Sequence, residues 1–277
     1  MLNSRRNSQN SWIITIIFAL ILVLILKQRN TRHQLNNIEQ TINHKILNSL
    51  AILPDKIINI GQAKLYVPNY PVDFIQSMIV DRRKFFESDI LQELRTYIKK
   101  NAVILDIGAN IGNHSVYWGV NTSVSRIYSF EPLEDIFKIL KKNVEINELT
   151  DKVKLFNIGL SNEKINGSIS FYDAANIGRT SLKQNTNGNL LLDKLDNIKI
   201  EEDSVDFVKI DVEGHELQVL QGARETLLKY KPTIFVESFP DKKQKVHEYL
   251  INLGYRLEKS FAGNNYLYVF NSHQNEF

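Results

Sequence analysis

Cysteine is missing from all 277 residues, so disulfides and thiolate metal sites are excluded. A surplus of one charge is missing too. Thirty-four Lys and Arg face 31 Asp and Glu, and the formal net charge is only +3. Basic residues are scattered, and no Arg/Lys run carries interleaved aromatics, so nothing points to a nucleic-acid partner. There is no internal repeat and no low-complexity tract. A Gly-x-Gly-x-x-Gly fingerprint is also absent. What remains is a chain that is 43% hydrophobic, enough for a sizeable core, and long enough for one large domain plus an appendage.

Residues 103–112, Val-Ile-Leu-Asp-Ile-Gly-Ala-Asn-Ile-Gly, are the most informative stretch. An apolar run ends in Asp106, a turn contains Gly108, and Gly112 opens a helix expected over residues 113–120. Glycines let a ligand approach the backbone, and a helix start offers unpaired N–H groups. The next apolar run, 126–130, is followed by Glu131. That acid lies about twenty residues past the turn, where a Rossmann unit places the carboxylate that grips a ribose. Three residues separate Gly108 from Gly112, and pyrophosphate would need the missing middle glycine. A ligand with a ribose, an amino-acid tail and no phosphate fits better: S-adenosylmethionine. The competing reading is an ordinary βαβ turn with a chance acid after the second strand.

A second constellation is Asp-Phe-Val-Lys-Ile-Asp-Val-Glu-Gly-His-Glu at 206–216. A strand ends in Asp211, with Glu213, His215 and Glu216 beside its C-terminal end. One helix is expected over 217–229, stopped by Pro232, and then a strand over 233–236 leading to Glu237. Carboxylates at strand ends are where open α/β sheets build sites, and unpaired charge inside buried strands is costly.

Together, residues 105–115 (Leu-Asp-Ile-Gly-Ala-Asn-Ile-Gly-Asn-His-Ser), Phe130-Glu131-Pro132 and residues 209–214 (Lys-Ile-Asp-Val-Glu-Gly) resemble the FkbM family of S-adenosylmethionine-dependent methyltransferases. Residues 176–182 (Asn-Ile-Gly-Arg-Thr-Ser-Leu) are similar to that family's loop before its central acidic strand, and Leu195-Asp196 to its Leu-Asp pair. The resemblance runs from about Lys56 to Val269. Departures are small: Thr180 stands where the family often has Ser, and Phe239 where a His or Asn is often near. The resemblance implies a class I methyltransferase fold of the α/β type. That is a Rossmann-like, mostly parallel twisted sheet with helices on both faces and a C-terminal antiparallel hairpin. It also implies methyl transfer to a hydroxyl, most often of a sugar in a glycan or polysaccharide.

Site expectations follow. Glu131 accepts hydrogen bonds from the ribose hydroxyls. Gly108 and Gly112 admit the methionine moiety. Asp106 orders that turn or meets the methionine ammonium, and Asn110 holds the turn or the carboxylate. Ser161 and Asn162 reach the adenine by position. His114 is a packing residue or a ligand contact. Methyl transfer is an in-line displacement that needs a positioned acceptor and, for a hydroxyl, removal of its proton. Asp211 is the first choice for that role, with Glu213, His215 and Glu237 beside it. His215 has an ordinary pKa suited to a base but reads as a substrate contact. Glu213 may equally cap the following helix. Three carboxylates could hold Mg²⁺, which the sequence neither requires nor excludes. Two other functions compete: a methyltransferase for a lipid or protein, and a non-catalytic membrane adaptor with the same fold.

Residues 12–26 are continuously apolar except for Thr15. They span roughly 22 Å as a helix, short of the ~30 Å hydrocarbon core, and flanking Arg5, Arg6, Lys27 and Arg29 extend them by snorkelling. Lys27-Gln28-Arg29-Asn30 makes a poor cleavage site, and a core helix is not usually apolar on all sides. A single-pass signal anchor is the expectation. Positive charge is nearly balanced across it. Asn113, in an Asn-x-Ser/Thr triplet within the cofactor turn, argues against a glycosylating lumen. The expected domains are a tail and anchor over 1–30, a stalk over 31–55 and the methyltransferase domain over 56–277. Leu35, Ile38, Ile42, Ile46 and Leu50 give the stalk an amphipathic stripe, for pairing chains or for folding onto the domain. A β-hairpin over 56–67, a helix over 88–100, a helix over 132–147 and a third strand over 152–158 precede insertions at 167–172 and 190–200. The chain closes on a hairpin over 255–261 and 266–270.

Overall fold

The computed structural model describes residues 55–271. The expected anchor, and the stalk apart from Asp55, lie outside the described residues. Among the described residues no helix is long and apolar enough to cross a membrane.

The elements run in order. A hairpin comes first: β1 (Ile57–Ile60) and β2 (Ala63–Tyr66). Helices α1 (Phe74–Arg82) and α2 (Ser88–Leu94) follow. Next come β3 (Val103–Ile107), α3 (Asn113–Asn121), β4 (Arg126–Phe130), α4 (Glu134–Ile146) and β5 (Val153–Phe156). An insertion carries β6 (Gly159–Leu160), β7 (Ile165–Phe171), β8 (Ser181–Gln184) and β9 (Leu190–Asp193). The chain returns through β10 (Phe207–Ile210), α5 (Glu216–Gly222), α6 (Arg224–Tyr230), β11 (Thr233–Glu237) and α7 (Pro240–Asn252). It ends in the hairpin β12 (Tyr255–Phe261) and β13 (Asn265–Phe270).

The main sheet has seven strands in the order β12-β13-β11-β10-β3-β4-β5. Strands β11, β10, β3, β4 and β5 run parallel, and β13 joins β11 antiparallel. Every residue of β3 and β10 is buried. That matches their near-continuous apolar sequence, because a parallel strand covered on both sides has no wet face. On one face Leu105, Val208, Ile210, Ile234 and Val236 pack with Val219 and Leu227 from α5 and α6 and with Val246 and Leu250 from α7. On the other, Trp118 of α3 meets the ring of Phe207 edge-on at 5.7 Å. The insertion forms its own four-stranded sheet, β6-β9-β7-β8.

Three elements differ from the sequence reading. The single helix expected over 217–229 is two, with Ala223 between them at φ −106, ψ 7. Asp196 explains the restart. Its carboxylate accepts from the N–H groups of Glu225 and Thr226 at 3.0 and 2.9 Å, and so caps α6 from outside. The helix expected over 88–100 stops at Leu94 and tightens into a 3-10 turn, Arg95–Tyr97. The insertion expected at 190–200, given no secondary structure from sequence, is strand up to Asp193 and then a 3-10 turn, Leu195–Asn197. Helices α1 and α7 were not foreseen. Their buried faces are short: Gln76, Ile79 and Val80 in one, Val246 and Leu250 in the other.

Candidate active site

A cavity of about 330 Å³ opens at the C-terminal ends of β3, β4, β10 and β11. This is the end where open α/β sheets place ligands. Ile107 and Gly108, Phe130 and Glu131, Asp211 to Glu213, and Glu237 supply its floor. Phe74, Phe86 and Glu87 and the insertion residues 176–180 close over it.

The turn after β3 has three left-handed residues: Gly108 at φ +74, Asn110 at φ +51 and Gly112 at φ +87. Its glycines also pack closely against the protein. A Cβ on Gly108 would lie 1.8 Å from the Asp211 carbonyl oxygen, and one on Gly112 would lie 2.6 Å from Leu140 Cδ1. Both glycines are needed for packing against the protein. Gly112 does not line the cavity, whereas Gly108 and Asn110 do.

Glu131 is 6% exposed and lines the cavity. Its Oε2 accepts the Asn110 N–H at 3.0 Å, and its Oε1 accepts the Leu133 N–H at 2.8 Å. A carboxylate has about four acceptor sites, so two remain for a pair of vicinal hydroxyls. Burial pushes its pKa up to about 7, against the pull of the Leu133 and Asn110 N–H groups. This donor set fits a ribose. The cavity wall also carries the carboxyls of Glu87, Asp211, Glu213 and Glu237, and Glu87, held low, suits a cationic sulfonium better than a diphosphate. Asn110 holds the turn, by its main-chain bond to Glu131 and by its Oδ1, which accepts the Ile111 N–H at 2.7 Å.

Asp106 stands one layer below. It is fully buried and does not line the cavity, so of its two expected roles the structure shows the ordering one. Register aligns Lys209, Asp106 and Ser129 across β10, β3 and β4, and α3 lays Ser115 over them. Ser115 Oγ donates to Asp106 Oδ2 at 2.5 Å and lies 2.8 Å from Ser129 Oγ. Lys209, 2% exposed, places Nζ 3.3 Å from Asp106 Oδ1 and 3.6 Å from Asp211 Oδ2. The same ammonium donates to the Gly108 carbonyl at 2.6 Å. One buried cation thus ties the turn after β3 to the acid after β10.

On the far side of the cavity, Asp211 and Glu237 hydrogen-bond to each other. Burial first, and then the charges of Asp211 and Glu213, push Glu237 up to about 9. Glu237 is therefore the member of the pair that favours its proton, and Lys209 Nζ stands beside Asp211. Glu213 sits at φ +52, and burial, then Asp211 and Glu216, push it up to about 8. It does not take the expected capping role. Glu216, the first residue of that helix, accepts the Gly214 N–H at 2.6 Å, and no side chain caps the helix start. His215 lines the cavity, with Nε2 2.9 Å from Ser161 Oγ. Burial and then Lys242 push it down to about 4, so it is neutral at pH 7. Among the described residues no three acids or histidines are placed to hold a metal ion.

Ser161 and Asn162 do not line the cavity. Ser161 is fully buried against His215, and Gln184 of β8 donates to Ser161 Oγ and Asn162 Oδ1 at 3.0 and 2.7 Å. These two residues tie the insertion to the sheet, and Ile158, Gly159 and Leu160 face the cavity in their place. His114 is likewise buried beneath it, with Nε2 3.5 Å from Glu87 Oε2.

Three cavity or support residues escaped the sequence reading: Lys209, Glu87 and Arg179. Lys209 had a signal, a lysine inside an otherwise apolar strand. Glu87 had none, because its φ of +55 is set by the fold. Burial would raise its pKa, but the hydrogen bond and charge of His114 and the charge of Lys209 outweigh it and hold it low.

Residues 106–257 match the family described as Methyltransferase FkbM domain. Hexuronic acid methyltransferase AglP of Haloferax volcanii is 27% identical over 172 residues, covering 61% of this chain and 69% of that protein. Methyltransferase sdnD of Sordaria araneosa is 24% identical over 176 residues, covering 51% of this chain and 68% of its own. Among solved structures, a methyltransferase FkbM from Methylobacillus flagellatus is 15% identical with a TM-score of 0.47. It covers 85% of this chain, which spans 60% of that one.

Proposed function

The chain belongs to the FkbM methyltransferase family and is an S-adenosylmethionine-dependent methyltransferase, and from that premise we propose that it methylates a hydroxyl of a sugar in a glycan or polysaccharide. The sugar part of this reading draws support from the name of the AglP relative, a hexuronic acid methyltransferase. The observation that carries the site assignment is Glu131, fixed by two main-chain donors on the cavity wall with acceptor capacity to spare.

When bound, the cofactor supplies an electrophilic methyl group on a sulfonium. The side chains do the rest. Glu131 accepts the ribose hydroxyls, and Asn110 and Gly108 border the amino-acid tail. Leu133, Ile136, Ile158 and Leu160 offer apolar wall for the base. Asp211 takes the proton of the acceptor hydroxyl. It faces Glu237, which favours its own proton, and Lys209 stands 3.6 Å away. His215, neutral and held by Ser161, is a contact for the acceptor and not the base.

We keep in this proposal a membrane anchor at residues 12–26, which rests on the apolar run alone. The acceptor class is tested by incubating the full chain with methyl-labelled cofactor and cell fractions. Label in glycan is the expected result. Label confined to lipid or to protein overturns the sugar reading, and no transfer to any fraction favours an adaptor.

A further inference from the structure

Among the cavity-lining residues, Arg179 is the one cation. Every other charged side chain there is an acid: Glu87, Glu131, Asp211, Glu213 and Glu237. Arginine stays charged at all working pH values and presents a planar fork that suits a carboxylate. Yet the Arg179 guanidinium has no hydrogen-bond or ion-pair partner among the described residues. It acts on Glu213 through charge from beyond ion-pair distance.

Its backbone is by contrast well held. Asp73, 3% exposed, accepts the Gln76 N–H with Oδ1 at 2.9 Å and the Ile177 N–H with Oδ2 at 3.0 Å. The Phe74 N–H donates to the Ala175 carbonyl at 2.7 Å. The Arg179 N–H closes on the Asn176 carbonyl at 3.0 Å. One buried carboxylate therefore clamps the start of α1 to the loop that presents Arg179. Next to it, Asn176 lines the cavity with its Oδ1 shielded from solvent and without a donor. Arg179 is exposed, so its guanidinium is open to an incoming anion, and the unfilled Asn176 Oδ1 on the same loop is open to a hydrogen-bond donor.

We propose that Arg179 and Asn176 form an acceptor subsite for a sugar that bears a carboxylate, the guanidinium pairing with the carboxylate and Asn176 Oδ1 accepting from a neighbouring hydroxyl. The inference rests on the sugar reading above and narrows it to uronic acids. A carboxylate suits this place better than a phosphate ester. The cavity already holds Glu87 with its pKa lowered, and a dianion would meet roughly twice the repulsion from it that a monoanion meets. Placement beside Glu213 puts the subsite on the acceptor side, where Asp211 takes the hydroxyl proton. Arg179 is then a specificity residue and not a catalytic one.

The test uses the full-length chain, labelled cofactor and two matched acceptors, a methyl hexuronoside and the corresponding neutral methyl hexoside. The uronoside should have a kcat/KM about tenfold or more above that of the hexoside, the scale of a hydrogen bond to a charged group. In Arg179→Gln that preference should vanish through a higher KM for the uronoside, while KM for the hexoside and the affinity for S-adenosylmethionine hold. Arg179→Lys should restore part of it. Equal kcat/KM for both sugars in the wild type overturns the subsite and leaves the sugar reading standing. Methylation of neither overturns both. Weakened cofactor binding in Arg179→Gln with the preference intact would reassign the guanidinium to the cofactor's carboxylate and overturn the proposal.

Discussion

Glu213 and Glu237 are acids that fold into a place that wants them neutral. Their folded pKa values, about 8 and about 9, lie above the ordinary 4.5, so folding takes up protons. Glu131, at about 7, adds to the same side. Such groups lend stability that is whole below the unfolded value and is lost as pH rises through the folded one. His215 works the other way. Its pKa falls to about 4 from 6.5, so its contribution is present above 6.5 and lost as pH falls from there to 4. Between pH 6.5 and 9 the carboxyls act alone. The melting temperature of the cofactor-free chain should therefore fall across that window, and Glu237→Gln, which keeps a donor toward Asp211, should flatten the fall. A wild-type melting curve that is level or rising from pH 6.5 to 9 would contradict the buried acid pair. At this scale the sequence was partly legible. Asp211, Glu213, Glu237 and Glu131 all line the cavity, because an acid just past an apolar run must sit at a strand end. Asp106 was seen, but its depth was not. Whether a side chain lies in the cavity wall or one layer behind it depends on Lys209 and Ser115, which only register and helix packing bring to it.

Among the elements, the parallel strands were the easiest to read. Burial on both faces of β3 and β10 demands near-continuous apolar runs, interrupted there by the paired Asp106 and Lys209. The helices were harder where the buried stripe was thin, as in α7, or where a distant residue set the boundary, as in α6. Asp196 sits about thirty residues upstream of the helix it caps, beyond the reach of any local pattern. Asp196→Ala removes its bonds to the Glu225 and Thr226 N–H groups and to Thr226 Oγ1. It should cost about 0.5–2 kcal/mol in urea unfolding, the range for lost helix caps, with cofactor affinity unchanged. A variant as stable as the wild type would show that the break at Ala223 has another cause. The insertion was visible as segments that interrupt the β/α rhythm. Its role was not, because Gln184 reaches back to Ser161 and Asn162 through side chains.

At the scale of the whole molecule, the parallel core brings the cofactor turn, the ribose acid and the acceptor acids to one end. Lys209 joins two of these from within the sheet. The insertion and the 73–87 segment then close the cavity from above, supplying Phe74, Glu87, Asn176 and Arg179. The core provides most of the lining acids, and the cover adds Glu87 and the lining cation Arg179. All of it presumes that Glu131 clasps a ribose. The most direct test is calorimetric titration of S-adenosylmethionine into the full-length chain and into Glu131→Gln, with circular dichroism to establish that both are folded. The ribose assignment predicts a dissociation constant at least about tenfold higher in the variant, as expected for lost hydrogen bonds to a charged acceptor. Equal affinity in a folded Glu131→Gln would contradict it.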